Sequence, residues 1–229
     1  SKGHTVIGTG RRQEKLDELQ TQLGDKFIPL NFDVSDLPAT KTALQTLPTD
    51  LRNHIDVLVN NAGLALGLEP ADKTDFADWQ QMVNTNILGL IHLTHEILPF
   101  MVANNDGYII NLSSTAGNYP YFGGNVYGAT KAFVTQFSLN LRADLVGKNI
   151  RVSNIEPGLC GGTEFSNIRF HGDDAKAAQV YDSVQYVTPQ DIANMVAWLI
   201  EQPKHVNINR IEVMPTAQTF AGLKVVKDL

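Results

Sequence analysis

Tyr127 and Lys131 stand four residues apart in a stretch of helical pattern, which puts both side chains on one helix face about one turn apart. An ammonium in that position favours the phenolate and draws the phenol's pKa down from its usual value of about 10, giving an acid/base group usable near neutral pH. The same spacing arises by chance in many helices, so the pair alone does not fix the chemistry. Thirteen positions earlier, Ser114 follows the apolar run 108–112, where its hydroxyl could orient a substrate oxygen or serve as an ordinary turn residue. Residues 119–124 between them are aromatic and glycine-rich, suited to line an apolar pocket or to pack as a surface turn. Asn60, Asn61, Ala62 and Gly63 close another apolar run, small and polar enough for a ligand to approach the backbone or for a plain turn.

These residues need elements to hold them. Residues 4–9, 27–32, 56–60, 108–112, 151–155 and 210–214 read as strands, separated by helical patterns at 13–23, 37–47, 79–103, 127–146 and 190–201. Leu16, Leu19 and Leu23 recur at helical spacing in the first, Ser35 or Asp36 opens the second, and Thr188 caps the last with Pro189 at its first position. Strands as continuously apolar as Val57-Leu58-Val59, alternating with helices, imply a parallel sheet buried on both faces. The expected fold is a doubly wound α/β domain of the Rossmann type spanning residues 1–229. Ligands of such sheets bind beyond the carboxyl ends of the strands, where the unusual residues fall.

With 229 residues and 43% hydrophobic positions the chain can bury one ample core. A net charge of −6, from 18 basic and 24 acidic residues, is weak and of the wrong sign for nucleic-acid backbones. Cys160 is the single cysteine, which excludes an intrachain disulfide and a Cys-rich metal site and fits a reducing, cytoplasmic setting. His92 and His95 lack the i,i+4 glutamate-bearing pattern of a zinc protease and are expected at solvent or a subunit contact, and no metal is expected. No run approaches the roughly 18 to 20 consecutive apolar residues of a membrane span, and residues 1–4 lack a signal pattern, so no membrane association is expected.

Taken in order, Asn60-Asn61-Ala62-Gly63, Asn86 with Gly89, Ser114, the run Tyr127-Gly128-Ala129-Thr130-Lys131 and Pro157-Gly158 resemble the motif series of the short-chain dehydrogenase/reductase family. The resemblance extends from Ser1 to the end of the chain. It implies an oxidoreductase in which Tyr127 exchanges a proton with the substrate hydroxyl, Lys131 depresses its pKa and holds the nicotinamide ribose, and Ser114 orients the carbonyl oxygen. Asn86 would anchor a water in the proton relay.

The resemblance also places the cofactor. Asn60, Ala62, Gly63, Pro157 and Gly158 belong to its binding surface, Asp33 and Val34 would flank the adenine, and Thr163 would touch the nicotinamide amide. Gly10-Arg11-Arg12 ends the first strand where NAD-specific members carry an acidic residue; two guanidinium groups there favour the 2′-phosphate of NADP, although two solvated arginines at a helix start are the plain alternative. The family's first strand and its glycine loop, about twenty residues of a βα unit, are expected ahead of a helix ending near Ser1 and Lys2. In the family's order that strand lies between the strands beginning at His4 and Asp56, so two edges are expected to lack a partner here. Pyrophosphate binding is assigned to no residue of this sequence.

Residues 161–174 are glycine-hinged and acidic, as a substrate lid would be. Arg169 could pair with a substrate carboxylate or with Glu164, Asp173 or Asp174, and Glu164 could meet a substrate amino group. Residues 123–133 and 156–167, with 205–209 and Met214-Pro215, are similar to the bacterial NADP-dependent 3-hydroxy acid dehydrogenases within the family. That likeness implies short hydroxy acids such as L-serine, L-allo-threonine or 3-hydroxypropionate, interconverted in the last case with malonic semialdehyde. A 3-oxoacyl-thioester or general carbonyl reductase is the alternative enzyme, and a dinucleotide-binding regulator without catalysis the alternative class. Leu90, Leu93, Ile97, Phe133, Phe137 and Leu141 give the two long helices more apolar surface than one sheet face needs, and the family likeness implies a homotetramer built on them.

Overall fold

The computed structural model describes residues 3–220; the helix end expected at Ser1 and Lys2 lies outside them. Among the described residues six strands form two parallel sheets. β1 (Val6–Gly10) pairs with β2 (Phe27–Asn31), and β3 (Val57–Asn60), β4 (Gly107–Leu112), β5 (Ile150–Pro157) and β6 (Arg210–Val213) form the second sheet in that order. Among the described residues β1 and β3 each have one ladder partner, and Val6 and Val59 on them are exposed.

β4 is buried along its whole length, and its alternation divides the core into two layers. Ile109 packs with Ile97, Met101 and Leu141, whereas Tyr108, Ile110 and Leu112 pack with Ile155 and Leu199. The first layer is supplied by α5 (Leu90–Asn104) and α6 (Asn125–Asp144), the second by α9 (Pro189–Glu201). Local chemistry starts these helices where the sequence suggests. Thr188 and Asp191 form a reciprocal capping box with Pro189 in the first turn of α9. Asp36 caps α2 (Leu37–Thr46) by accepting from Ala39 N at 2.9 Å.

The differences are local. In α1 (Gln13–Leu23) only Leu16 is buried, because the helix rests on a two-stranded sheet too narrow to cover Leu19 and Leu23. The short α3 (Thr49–Asn53) escapes the periodicity altogether. The long helix expected at 79–103 begins earlier, as α4 (Phe76–Val83) capped by Asp75, and joins α5 through a π-helical turn, Asn84–Gly89. A Cβ at Gly89 would lie 2.9 Å from the Val34 carbonyl oxygen, so this turn can sit against the loop after β2 only with glycine there. The combined helix is long and apolar enough by composition to cross a membrane. In the fold it turns Leu90, Thr94, Ile97 and Met101 into the core. The segment read as a lid, 161–174, contains α7 (Phe165–Arg169) and ends at the first residue of α8 (Asp174–Gln179), short helices with little periodic signal.

Candidate active site

The carboxyl ends of β3, β4 and β5, the first turns of α6 and the lid enclose a cavity of about 570 Å³. Gly63, Ser114, Tyr127 and Lys131 line it, and Pro157, Gly158, Thr163 and Arg169 close it from the β5 side and the lid. Tyr121 contributes from the aromatic loop, whereas neighbouring Phe122 points outward and is exposed.

Tyr127 is buried, with Phe165 of α7 edge-on at 5.9 Å between ring centroids. Burial pushes its phenol up to about 12; Tyr121 adds to the rise, while Ser114 and the Arg169 guanidinium, 5.5 Å from the ring centroid, pull the other way. Lys131 is also buried, and loss of hydration lowers its ammonium to about 8. Its Nζ donates to the Leu112 carbonyl at 2.9 Å and lies 5.9 Å from the Tyr127 ring centroid. The expected lowering of the phenol by Lys131 is therefore not what this arrangement delivers: the ammonium is spent on the end of β4, burial dominates the phenol, and Ser114 and Arg169 are the groups that oppose it.

Ser114 Oγ donates to the Pro157 carbonyl at 3.2 Å and accepts from Ala116 N at 3.1 Å, which fixes it at the start of the turn Thr115–Gly117. Asn86, in the π-helical turn, is fully committed on its donor side: Nδ2 donates to Leu64 O at 2.8 Å and Thr130 Oγ1 at 3.0 Å, while Oδ1 accepts from Leu64 N at 2.8 Å. A Cβ at Gly63 would lie 3.2 Å from Lys131 Nζ and 3.4 Å from Asn86 Oδ1, so the bare Cα faces both groups. Thr130 was not legible as a site residue; its place one position before Lys131, on the side of α6 facing the π-helical turn, is set by packing.

The other expected cofactor residues divide. Asn60 is buried, its amide donating to Thr94 Oγ1 at 3.0 Å and Asn111 Oδ1 at 2.8 Å, so its side chain serves the interior. Ala62 is exposed beside Gly63. Gly158 donates its N–H to Val213 O at 2.7 Å, and a Cβ on it would come within 2.3 Å of Gln218 Oε1. Gln218, which also accepts from Leu159 N at 2.6 Å, carried no sequence signal. Thr163 accepts from Phe165 N through its hydroxyl at 3.2 Å and so starts the lid.

A second cleft, of about 1050 Å³, runs from the end of β1 past α1 to the lid, with Gly10, Arg11, Arg12 and Lys15 on one wall and Glu164 on the other. Arg11 lies 3.5 Å from Asp33. Burial alone would raise the Asp33 carboxyl, but hydrogen bonds from Ser35 and the nearness of Arg11 hold it below the usual range. Arg12 is bidentate to Glu164 at 3.0 and 2.5 Å, so Glu164 faces this cleft and an arginine and not a substrate amino group. Arg11, Arg12 and Lys15 gathered at one strand end are a donor set that fits a phosphate monoester.

Arg169 reaches into the main cavity, with Nη2 donating to Tyr121 OH at 2.6 Å and Nε to Gly67 O at 3.3 Å. Among the described residues none of Glu164, Asp173 and Asp174 forms an ion pair with it; Asp173 and Asp174 bond within the lid, to Lys176 and Asn167. Cys160 is half-buried on the cavity wall, where burial and then Asp191 push its thiol up, which disfavours a nucleophilic role. His95 is largely exposed and His92 mostly covered, both near Glu96, and no group of three or more potential metal ligands is found among the described residues.

A dinucleotide-sized cleft, a tyrosine and lysine on one helix face and a serine at the end of the neighbouring strand define a nicotinamide-dependent oxidoreductase site. The chain belongs to the short chain dehydrogenase family, whose sequence profile matches residues 1–173. It is 67% identical over 226 residues to a probable NADP-dependent dehydrogenase of Haemophilus influenzae, covering 99% of this chain and 89% of that one. It is 56% identical over 223 residues to the NADP-dependent 3-hydroxy acid dehydrogenase YdfG of Escherichia coli, covering 97% and 90%. The closed form of a serine dehydrogenase complexed with NADP+ superposes with a TM-score of 0.97 at 55% identity, over 99% of this chain and 91% of that one.

Proposed function

We propose that this short-chain dehydrogenase transfers hydride between NADP(H) and a short 3-hydroxy acid or 3-hydroxy amino acid, with L-serine, L-allo-threonine and the 3-hydroxypropionate/malonic semialdehyde pair as the substrate class. The observation that carries the substrate assignment is Arg169: a guanidinium with no carboxylate partner among the described residues, placed over the Tyr127 ring inside the cavity. A carboxylate entering there gains a charge-assisted bond and stands next to the phenol. The names of the Escherichia coli and serine dehydrogenase relatives support the same class.

Bound NADP would be held by Arg11 and Arg12 at its 2′-phosphate, with Asp33 and Val34 near the adenine and Gly63, Pro157, Gly158 and Thr163 along its course, and it supplies the hydride acceptor. The chain's own residues manage the oxygen. Ser114 turns its one hydroxyl hydrogen from the Pro157 carbonyl to the substrate oxygen and holds that oxygen toward Tyr127. The Tyr127 phenol, kept protonated by burial, donates its proton to that oxygen in reduction and takes it back in oxidation. Lys131 and Asn86 Oδ1, both facing the bare Cα of Gly63, bracket the place where a relay water would pass the proton outward; a second lone pair on Oδ1 remains for it. The family resemblance gives Lys131 a second role, in which it would hold the nicotinamide ribose.

Leu90, Ile97 and Leu141, expected as surplus apolar surface, are instead buried in the core; exposed Leu88, Val102 and Phe133, the last stacked on Phe137 at 5.8 Å, are what supports a homotetramer assembled on the two long helices. The single cysteine supports a cytoplasmic setting. The substrate assignment is tested by comparing L-serine with ethanolamine, which keeps the amino alcohol and lacks the carboxylate. Turnover of serine alone is expected; equal turnover of both removes Arg169 from substrate recognition, and a preference for apolar ketones over either would favour the carbonyl reductase.

A further inference from the structure

One buried charge is used by none of these steps. Glu156, at the carboxyl end of β5, has 0% of its surface exposed. Its carboxylate is nevertheless ionised: burial would raise its pKa, but the hydrogen bonds of Arg210 and Asn118 hold it low. Oε1 accepts from Asn154 Nδ2 at 2.6 Å and Arg210 Nε at 2.7 Å; Oε2 accepts from Asn118 Nδ2 at 2.7 Å and Arg210 Nη2 at 2.8 Å. A buried ion pair of this kind adds little to stability compared with an apolar pair of the same shape, so its value lies in the geometry it enforces.

That geometry converges on the reacting residues by three routes. Asn118 closes the turn that Ser114 opens. Pro157, the residue after Glu156, accepts the Ser114 hydroxyl through its carbonyl. Asn154 Nδ2, which donates to Glu156, also donates to Thr135 Oγ1 at 3.1 Å; Thr135 Oγ1 donates to Ser113 Oγ at 2.9 Å, and Ser113 Oγ to the Lys131 carbonyl at 2.7 Å, one turn before Thr135 on α6. One carboxylate therefore ties the strand, the serine turn and the tyrosine–lysine helix together, with Arg210 of β6 as counter-charge.

We propose that Glu156, paired with Arg210, is a positioning residue that sets Ser114 against Tyr127 and Lys131. The inference rests on the roles given to those three residues above. The physical reason is donor crowding: Glu156→Gln keeps the shape but turns one acceptor into an amide donor, which must then face Arg210 or Asn118, both donors. The serine turn shifts to relieve that contact.

The test measures kcat and KM for L-serine, and the NADP dissociation constant by fluorescence, for Glu156→Gln in the wild-type and Ser114→Ala backgrounds. We expect NADP binding within about twofold of wild type, KM little changed and kcat reduced about ten- to a hundredfold, the size of a sub-ångström misplacement of a reacting group. In the Ser114→Ala background the further loss shrinks to less than about twofold, because the position of an absent hydroxyl no longer matters. An undiminished kcat in the folded variant, or the same loss in both backgrounds, overturns the proposal. If Glu156→Gln fails to fold, Asn118→Ala severs the tether to the turn while leaving the Arg210 pair; it must lower kcat with the same dependence on Ser114, and an unchanged kcat overturns the proposal. Tyr127→Phe measured alongside separates the two levels: retained turnover there would discard the underlying roles, and with them this inference.

Discussion

Arg12 forms a bidentate ion pair with Glu164 across 152 positions of sequence, joining the end of β1 to the first residues of the lid. The guanidinium expected to read the cofactor's 2′-phosphate thus already holds an anion. Glu164 and the phosphate compete for it, so Glu164→Gln should tighten NADP binding about two- to fivefold at low salt, the usual size of an exposed ion pair. NAD, which has no 2′-phosphate, should bind unchanged. Titration of both cofactors by fluorescence at low and high salt checks this, and equal effects on NADP and NAD would remove Arg12 from phosphate recognition.

Tyr127→Phe removes the proton without emptying the cavity. Turnover should fall about a thousandfold while NADP binding and the melting temperature stay close to wild type, since general acid/base groups contribute on that scale. Steady-state rates beside a binding isotherm distinguish lost chemistry from lost structure.

Lys131 is held against its own stability. Its folded pKa of about 8 lies below the ordinary value of 10.5, so the cost of burying the ammonium is fully present below pH 8 and disappears as pH rises toward 10.5. Lys131→Met should therefore be more stable than wild type at pH 7, by about 1–2 kcal/mol after allowing for the lost bond to Leu112. The advantage should shrink between about pH 8 and 10.5. Above pH 10 the raised phenol of Tyr127 works in the opposite sense, stabilising the protonated fold less as pH climbs toward 12. Chemical denaturation across pH 7 to about 10.5 measures the difference, and a constant gap would mean that Lys131 is hydrated.

Gly63→Val places branched carbons beside Lys131 Nζ and Asn86 Oδ1, since even a Cβ comes within 3.2 and 3.4 Å of them. The expected result is a loss of turnover of about tenfold or more, with a larger solvent isotope effect because proton passage becomes the slow step. An unaltered isotope effect would place the relay elsewhere.

What could be read from the sequence was local. The Thr188 and Pro189 helix start, the apolar run of β4 and the spacing of Tyr127 and Lys131 each depend on neighbours within a few residues. The partner choices did not: Lys131 turns to a carbonyl of β4, Glu164 to Arg12, Arg169 to Tyr121, and each contact is made only when the sheet brings distant segments together. Glu156 gave no such signal, because its strand also carries Arg151, Ser153 and Asn154, and its counter-charge lies 54 positions away. The π-helical turn was hidden because a period of 3.6 carries through one extra residue without an obvious break.

NADP-dependent oxidation of a 3-hydroxy acid is measured by the initial rate of cofactor reduction by the purified protein with L-serine, run in parallel with NADP and NAD. A rate with NADP far above that with NAD is the predicted result. Comparable rates would contradict the role of Arg11 and Arg12, and no rate with either cofactor would contradict the substrate assignment.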